Sequence, residues 1–313
     1  MRHSYLNILI CFLFAIVISC TSNSKRAANL ISQSNSSEKT IEPKESNAYN
    51  EPKASLKKSD VLKIASWNIR DLGKTKDAQE LLQIAKIIRD YDIVAIQEVV
   101  GKDPAGAKAV AKIADELNRM GSKWDYRISN PTNSSSVYIS ERYAFLWKTS
   151  KVKMTSRAYL DSELEDKCYR EPFIGKFLLK NGTEPFYVIN FHSRKFNDNP
   201  EEEIVFFKAY PKRLKSDRVF IVGDFNLNEN HEVWDNLYEI GFESALKNTR
   251  TTLKTKCKNG NYLNYSIDNI YYTSSSIQML QSGSIDFVND CYNLENARFL
   301  SDHLPVFMEC IIN

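Results

Sequence analysis

Three times in this chain an apolar run of strand length ends on an amide or a carboxylate: Ile64-Ala65-Ser66-Trp67-Asn68, Ile93-Val94-Ala95-Ile96-Gln97-Glu98 and Phe220-Ile221-Val222-Gly223-Asp224-Phe225-Asn226. A strand interior delivers such groups rigidly, and Gly223 allows backbone or substrate to approach closely. Between the strands lie helical patterns. Residues 77–89 place Leu81, Leu82, Ile84, Ala85, Ile87 and Ile88 on one face, and further helices are expected over about 105–120, 201–214 and 231–240. Strands are expected over 61–69, 92–100, 124–128, 143–147, 172–179, 186–191, 218–222, 268–272 and 304–312. Strands that alternate with helices, without a repeat or an internal linker, make residues 61–313 one α/β domain. Polar groups at the C-terminal ends of several strands should meet on one rim.

The first 60 residues stand apart. Arg2 precedes an apolar run from Leu6 to Ile18 that stops at Ser19-Cys20. It falls short of the roughly 20 apolar residues that span a bilayer. Val17-Ile18-Ser19-Cys20 resembles the lipobox of bacterial lipoproteins, where the peptide is cut before a cysteine that then carries lipid. Residues 1–19 are therefore expected to be a lipoprotein signal peptide, with Cys20 the point of attachment to a membrane. An ordinary cleaved signal peptide and an uncleaved anchor are the plainer readings, which the small Ser19 and the polar stretch from Thr21 disfavour. Residues 20–60 are rich in Ser, Asn, Lys, Glu and Pro and read as a disordered tether. A flexible tether of that length has an end-to-end distance of roughly 35 Å. The expected location is a bacterial cell envelope or surface, or else the medium.

Charge excludes one simple idea. The chain carries 42 Lys and Arg against 39 Asp and Glu, but the surplus sits before residue 61, and residues 61–313 hold 34 of each. A general attraction to polyanions is not expected, so any contact with nucleic acid has to come from a local cluster. In the domain, Cys168, Cys257, Cys291 and Cys310 stand in an exported context where disulfides are allowed, and three pairings are open. Cys310, on an apolar strand, reads equally well as a buried thiol.

Oxygen ligands on several strand ends suit Mg²⁺, which takes a few carboxylates, waters and a substrate phosphate. Mn²⁺ is the alternative ion, and a structural Ca²⁺ is left open. Histidine is scarce beyond residue 60, with only His192, His231 and His303. His192 ends a strand, and His303 follows Asp302 directly. Phosphodiester hydrolysis needs a base for water and an acid for the leaving oxygen, and imidazole serves both. His231 is expected to be structural, near a helix start.

The order of motifs makes the resemblance specific. Trp67-Asn68-Ile69-Arg70, Ile96-Gln97-Glu98-Val99, Glu141-Arg142-Tyr143, Arg170-Glu171-Pro172, His192-Ser193, Gly223-Asp224-Phe225-Asn226, Ile267-Asp268-Asn269-Ile270 and Ser301-Asp302-His303-Leu304-Pro305 occur in turn. Across nearly all of residues 61–312 the chain resembles the endonuclease/exonuclease/phosphatase superfamily, and within it the deoxyribonuclease I branch. That resemblance implies a four-layered α/β sandwich, two packed β-sheets flanked by helices. It implies a metal held by Glu98, Asn68 and Asp302, with Asp224 and Asn226 orienting the phosphate and the attacking water. His303 with Asp268 would be the base and His192 with Glu141 the acid, an order open to exchange. Arg70 and Arg170 match positions that contact DNA phosphates, although Arg170 beside Glu171 also reads as a surface salt bridge. The Glu141 and His192 pair is what selects the deoxyribonuclease branch.

Two departures bear on grip rather than chemistry. Val100 replaces the arginine that enters the minor groove in that branch, and Ile139 replaces a tyrosine, with Tyr138 one step back. The expected function is an exported, metal-dependent, monomeric endonuclease acting on DNA with low sequence specificity. A sphingomyelinase-like or inositol-phosphate phosphodiesterase is the alternative, and a non-catalytic surface binding protein is the second.

Overall fold

The computed structural model describes residues 61–136 and 138–313; the expected signal peptide, Cys20 and the tether lie outside the described residues. One sheet contains β1 (Leu62–Leu72), β2 (Ile93–Val100), β3 (Trp124–Ile128), β4 (Glu141–Lys148) and, from the far end of the chain, β14 (Ile277–Ser284) and β15 (Val306–Ile312). Its spatial order is β14-β15-β1-β2-β4-β3. The other contains β5 (Val152–Met154), β6 (Tyr159–Leu160), β7 (Phe173–Leu179), β8 (Phe186–His192), β9 (Val219–Asp224), β10 (Phe242–Ser244) and β13 (Asp268–Thr273), in the order β10-β13-β9-β8-β7-β5 with β6 against β7. A separate ribbon pairs β11 (Leu253–Lys258) with β12 (Asn261–Leu263).

The two sheets share a topology that no sequence repeat announces. In each, two parallel strands lie at the centre, β1 with β2 and β8 with β9. Each central pair is flanked by antiparallel partners, β15 and β4 in one sheet, β7 and β13 in the other.

Alternation along these strands builds the layers. Leu62, Ile64, Ile93, Ala95, Tyr143 and Phe145 face Phe173, Phe186, Val188, Phe220, Val222 and Ile270 in the core between the sheets. Residues of opposite parity, such as Trp67, Val94 and Ile96, pack under α1 (Ala78–Ile88) and α2 (Pro104–Arg119). On the far side Ile189, Phe191 and Ile221 are covered by α3 (Glu201–Ile204), α4 (Tyr210–Leu214), α5 (Asp235–Tyr238) and the 3₁₀ turns beside them, through Ile204, Phe207, Tyr210, Trp234 and Leu237. The result is the expected four-layered α/β sandwich. The start of α1 is set by a capping box, in which Asp77 accepts from Gln79 N and Glu80 N while Glu80 accepts from Asp77 N. Asp103 caps α2 with Pro104 in its first turn, where the missing N–H costs nothing.

Several expectations are corrected. The single helix over 201–214 is broken into α3, a 3₁₀ turn over Val205–Ala209 and α4. Pro211 has no N–H to give the carbonyl of Phe207, so a continuous α-helix cannot run through it. The helix over 231–240 shrinks to a 3₁₀ turn, Glu232–Trp234, and α5. Strands β5, β6, β10, β11, β12 and β14, and the helix α6 (Leu294–Leu300), add to what the pattern indicates. Of the cysteines, Cys257 and Cys291 form a disulfide, while Cys168 and Cys310 are buried thiols.

Candidate active site

Following the inward-facing residues of the central strands leads from an apolar end to an ionisable one. On β1 the order is Leu62, Ile64, Ser66, Asn68; on β8 it is Phe186, Val188, Asn190, His192; on β9 it is Phe220, Val222, Asp224. Strands β4 and β13 run the other way, so Glu141 and Asp268 reach the same edge from N-terminal ends. The rim is therefore made from both kinds of strand end, and not from C-terminal ends alone.

A polar layer separates the dry core from this edge. Gln97 Nε2 donates to Asn190 Oδ1 (2.6 Å) and to Ser66 Oγ (3.0 Å), linking the two sheets. Asn190 Nδ2 in turn donates to the carbonyls of Ile96 (3.1 Å) and Ala144 (3.2 Å). These hydrogen bonds offset part of the cost of burying the amides, although Gln97 Oε1 is left without a partner among the described residues, and they tie the strand ends together.

At the edge, two histidine-carboxylate dyads face one aspartate. His303 donates from Nδ1 to both oxygens of Asp268 (3.1 and 2.9 Å), and Thr251 Oγ1 holds the same carboxylate at 2.6 Å. His192 donates from Nδ1 to both oxygens of Glu141, each at 3.0 Å. Both rings then point Nε2 at Asp224 Oδ2, at 3.6 Å for His192 and 3.7 Å for His303. The Tyr143 hydroxyl accepts from His192 N, and Ser301 Oγ donates to the Asn68 carbonyl while accepting from His303 N. Trp67 Nε1 donates to the His303 carbonyl, so the 301–303 segment is stitched to the end of β1.

The two dyads carry different charge. Burial opposes the imidazolium of His303, but Asp268, Asp224 and Asp302 outweigh it and push its pKa up to about 10. Burial and the Arg170 cation push His192 down to about 4, and burial lifts Glu141 to about 7 against the pull of Arg170. The Glu141 contact to His192 is thus a hydrogen bond from a neutral ring. Burial also raises Asp224.

These directions predict how stability depends on pH. A group with a raised folded pKa stabilises fully below its unfolded value and loses that contribution as pH rises through the folded value. For His303 the loss runs from about pH 6.5 to about 10. Glu141 loses stabilisation between about 4.5 and 7, while depressed His192 gains it between about 4 and 6.5, so the two oppose each other below neutrality. In chelator, the urea midpoint should fall from pH 7 towards pH 10, with a shallower fall in His303→Gln. Equal slopes for the two proteins would remove the His303 pair as the cause.

Asn68 sits between the metal candidates and the dyads. Its Nδ2 donates to Glu98 Oε1 (3.0 Å) and Asp224 Oδ2 (3.1 Å), and Asp71 N donates to Glu98 Oε2 (3.2 Å). Asn68 Oδ1 is buried with no hydrogen-bond partner among the described residues. An orphaned oxygen beside a cleft-facing carboxylate fits a hard cation, which would satisfy it. Asp224, Asp268 and His303 also bring ligand atoms within 4.8 Å of one another, close enough to share a cation. Asp268 and His303 are engaged with each other, so the oxygens with capacity to spare lie at Asp224, Asn68 and Glu98. Asp302, the third expected ligand, is paired to Arg70 at 3.3 Å and Arg298 at 3.6 Å.

Asn226 follows Asp224 at the cleft with a left-handed backbone (φ 51°), and its N–H donates to Asp224 Oδ1. Arg70 is exposed but tied to Asp302. Arg170 is buried, which removes the alternative reading of it as a surface salt bridge. Its guanidinium donates to the carbonyls of His192, Ser193 and Ile139, and lies 3.8 Å from Glu141. The adjacent Glu171 accepts from Asn133 N instead, so no Arg170 to Glu171 salt bridge forms. His231 is structural as expected, its Nδ1 accepting from Val233 N at the start of a 3₁₀ turn. Sequence reasoning missed the roles of Ser66, Asn190, Thr251 and Ser301; Ser66 and Asn190 left a signal, each a polar side chain on the inward face two residues before a site residue, Asn68 and His192. The site opens into a cleft of about 1420 Å³ lined by Glu98, Glu141, His192, Asp224, Asn226 and His303.

A sandwich of this build with paired His-carboxylate dyads defines a class of phosphoester hydrolase. The Endonuclease/Exonuclease/phosphatase family matches residues 65–303, and the chain belongs to that family. Deoxyribonuclease-1 of Bos taurus is 30% identical over 268 residues, 78% of this chain and 90% of that protein. A Deoxyribonuclease of Thioalkalivibrio sp. is 27% identical over 267 residues, 79% of this chain and 70% of its own length. Among solved structures, an endonuclease/exonuclease/phosphatase family protein from Bacteroides thetaiotaomicron superposes with TM-score 0.58 at 17% identity, over 81% of this chain and 98% of that one. A mannosyl-6-phosphatase from the same organism gives 0.59 at 17%, over 80% and 100%. The fold is thus shared by enzymes with different phosphoester substrates, while the sequence relatives are deoxyribonuclease I-like.

Proposed function

We propose that the chain is a metal-dependent endonuclease that hydrolyses DNA phosphodiester bonds. The observation that carries this is the pair of dyads, Glu141 with His192 and Asp268 with His303, turned towards Asp224 at the floor of an open cleft. A lone hydrolytic histidine serves one proton transfer; two serve both ends of an in-line displacement.

Charge distributes the work. His192, held neutral, accepts the proton of the attacking water at Nε2 as the water oxygen bonds to phosphorus. His303, held as imidazolium, gives the Nε2 proton to the 3′ oxygen as its bond to phosphorus breaks. This exchanges the order carried over from the motifs. Asp224 and Asn226 orient the phosphate and the water. Glu98 and Asn68 would hold Mg²⁺, with Asp302 joining once it releases an arginine, and the bound cation supplies positive charge for the phosphoryl oxygens. Arg170, bound to the backbone on either side of the His192 peptide, positions that ring and lends its charge to the site.

Purified protein should cut plasmid with Mg²⁺ or Mn²⁺ and stop in excess chelator. A panel of plasmid, single-stranded DNA, RNA and sphingomyelin tests the substrate class; turnover of sphingomyelin with every nucleic acid left intact would replace the DNA reading. We further propose export and lipid attachment at Cys20. In a bacterial host the protein should incorporate labelled palmitate and sediment with membranes, and Cys20→Ser should do neither. An unlabelled wild-type protein would refute the anchor.

A further inference from the structure

Three aromatic side chains line the cleft yet remain largely in water: Tyr138 is 88% exposed, Phe196 66% and Tyr265 63%. They come from three separate segments, the turn before β4, the 3₁₀ turn Phe196–Asp198 after β8, and the loop between β12 and β13. None of them belongs to the hydrophobic clusters that build the described fold. Packing therefore gives no reason for a large ring at any of these positions.

The backbones of Tyr265 and Phe196 are fastened. Tyr265 N donates to Thr252 Oγ1 (2.8 Å), and its carbonyl accepts from Thr251 N (2.7 Å) and Thr252 N (3.1 Å). The Phe196 turn is closed by Asp198 N donating to the Lys195 carbonyl (2.8 Å), and Arg194 reaches the Asp198 carbonyl (3.3 Å). Cations stand beside the rings. Lys102 Nζ lies 3.8 Å from the Tyr138 ring centroid, and Lys195, next to Phe196, lines the same cleft. Uncharged amides, Asn197 and Asn264, flank Phe196 and Tyr265 along the wall.

We propose that Tyr138, Phe196 and Tyr265 form a stacking platform for unpaired bases, so that the cleft takes a single-stranded polynucleotide and draws its backbone past the two dyads. This rests on the nuclease reading above and narrows it. Exposed rings for base faces and lysines for phosphates are the two elements that single-strand binding uses, and the amides beside them can hydrogen-bond base edges. A duplex keeps its base faces stacked on one another and shows only edges in its grooves, so exposed rings gain little from it. A lipid surface is matched less well, because the rings are spread over three segments of a cleft wall and are interleaved with amides and lysines.

The test uses the full chain in chelator, where nothing is cut, and fluorescence anisotropy with three labelled probes: a single strand, the same sequence as duplex, and an abasic strand with the same number of phosphates. Tyr138→Leu, Phe196→Leu and Tyr265→Leu keep apolar bulk and remove the ring at exposed sites. Each should weaken single-strand binding by about 5- to 150-fold. Duplex binding should change little, and the wild type should hold the abasic strand about as weakly as the triple variant holds the intact one. Turnover of bis(p-nitrophenyl) phosphate with Mg²⁺ should stay the same in all variants. Equal affinity for the abasic and intact strands, or ring variants that match wild type on the single strand, overturns the platform. So does capture of sphingomyelin vesicles by wild type that the ring variants lose. If plasmid is still cut in those cases, the platform falls and the nuclease stands; if no polynucleotide is bound or cut, both fall.

Discussion

Replacing His303 by Ala should lower the rate of DNA hydrolysis by about 10²–10⁴-fold, the range for loss of one positioned proton-transfer group. The expected loss lies mainly in kcat, because the Nε2 proton matters most as charge develops on the departing oxygen. The substitution also strands Asp268, 3% exposed, with Thr251 as its remaining side-chain partner. Stability should therefore drop, and a near-UV circular dichroism spectrum and a urea curve must show that the variant is folded. His192→Ala should cost a similar factor. The double variant should cost far less than the product of the two, since both histidines serve one displacement and neither transfer advances alone. Fully multiplicative losses would mean that the two act in separate steps.

Gly223→Ala is expected to be the most damaging single change to the fold. Gly223 has φ 146°, which L side chains rarely adopt, and a Cβ there would lie 1.8 Å from the Phe191 carbonyl oxygen and 2.8 Å from its carbon. These are backbone atoms of the neighbouring parallel strand, where Phe191 pairs with Gly223 and His192 with Asp224. The methyl can be accommodated only if β8 and β9 part at the catalytic end. Backbone strain of about 1–3 kcal/mol and overpacking of about 1–3 kcal/mol together take a large share of a typical stability of about 5–15 kcal/mol. Thermal melts should show a loss of several degrees or no folded protein, and any folded fraction should be inactive because Asp224 and His192 move apart. A variant with wild-type melting and activity would show that the β8–β9 approach is looser than this geometry requires.

The long central strands β1, β2, β4, β8, β9 and β13 are legible because their apolar residues are covered on both faces, and β15 because buried Val306, Met308 and Cys310 alternate with half-buried neighbours. Strands β10 and β14 were not, since a three-residue edge and an exposed run with Met279 and Leu280 in water look like loops. The helix over 201–214 misled because its apolar spacing continues through Pro211, and a moment pattern does not register a missing N–H. At the site, the motifs identify the ionisable groups but not their neighbours. Arg170 reads as a phosphate contact or a surface salt bridge because nothing near it in the chain announces that it will meet the carbonyls of His192 and Ser193. Gln97 and Asn190, 93 positions apart, become partners only when the two sheets face each other. Which histidine is charged follows from three aspartates near His303 and from burial together with Arg170 at His192, a matter of space and not of spacing.

The most direct measurement of the central claim is cleavage of supercoiled plasmid by purified wild-type protein with Mg²⁺, beside the His192→Ala/His303→Ala double variant prepared identically. Nicked circles and then linear DNA are expected from the wild type, with no product in chelator and none from the double variant over the same time. Plasmid and single-stranded DNA both left intact by the wild type under Mg²⁺ and Mn²⁺ alike, or nicking by the double variant at the wild-type rate, would contradict it.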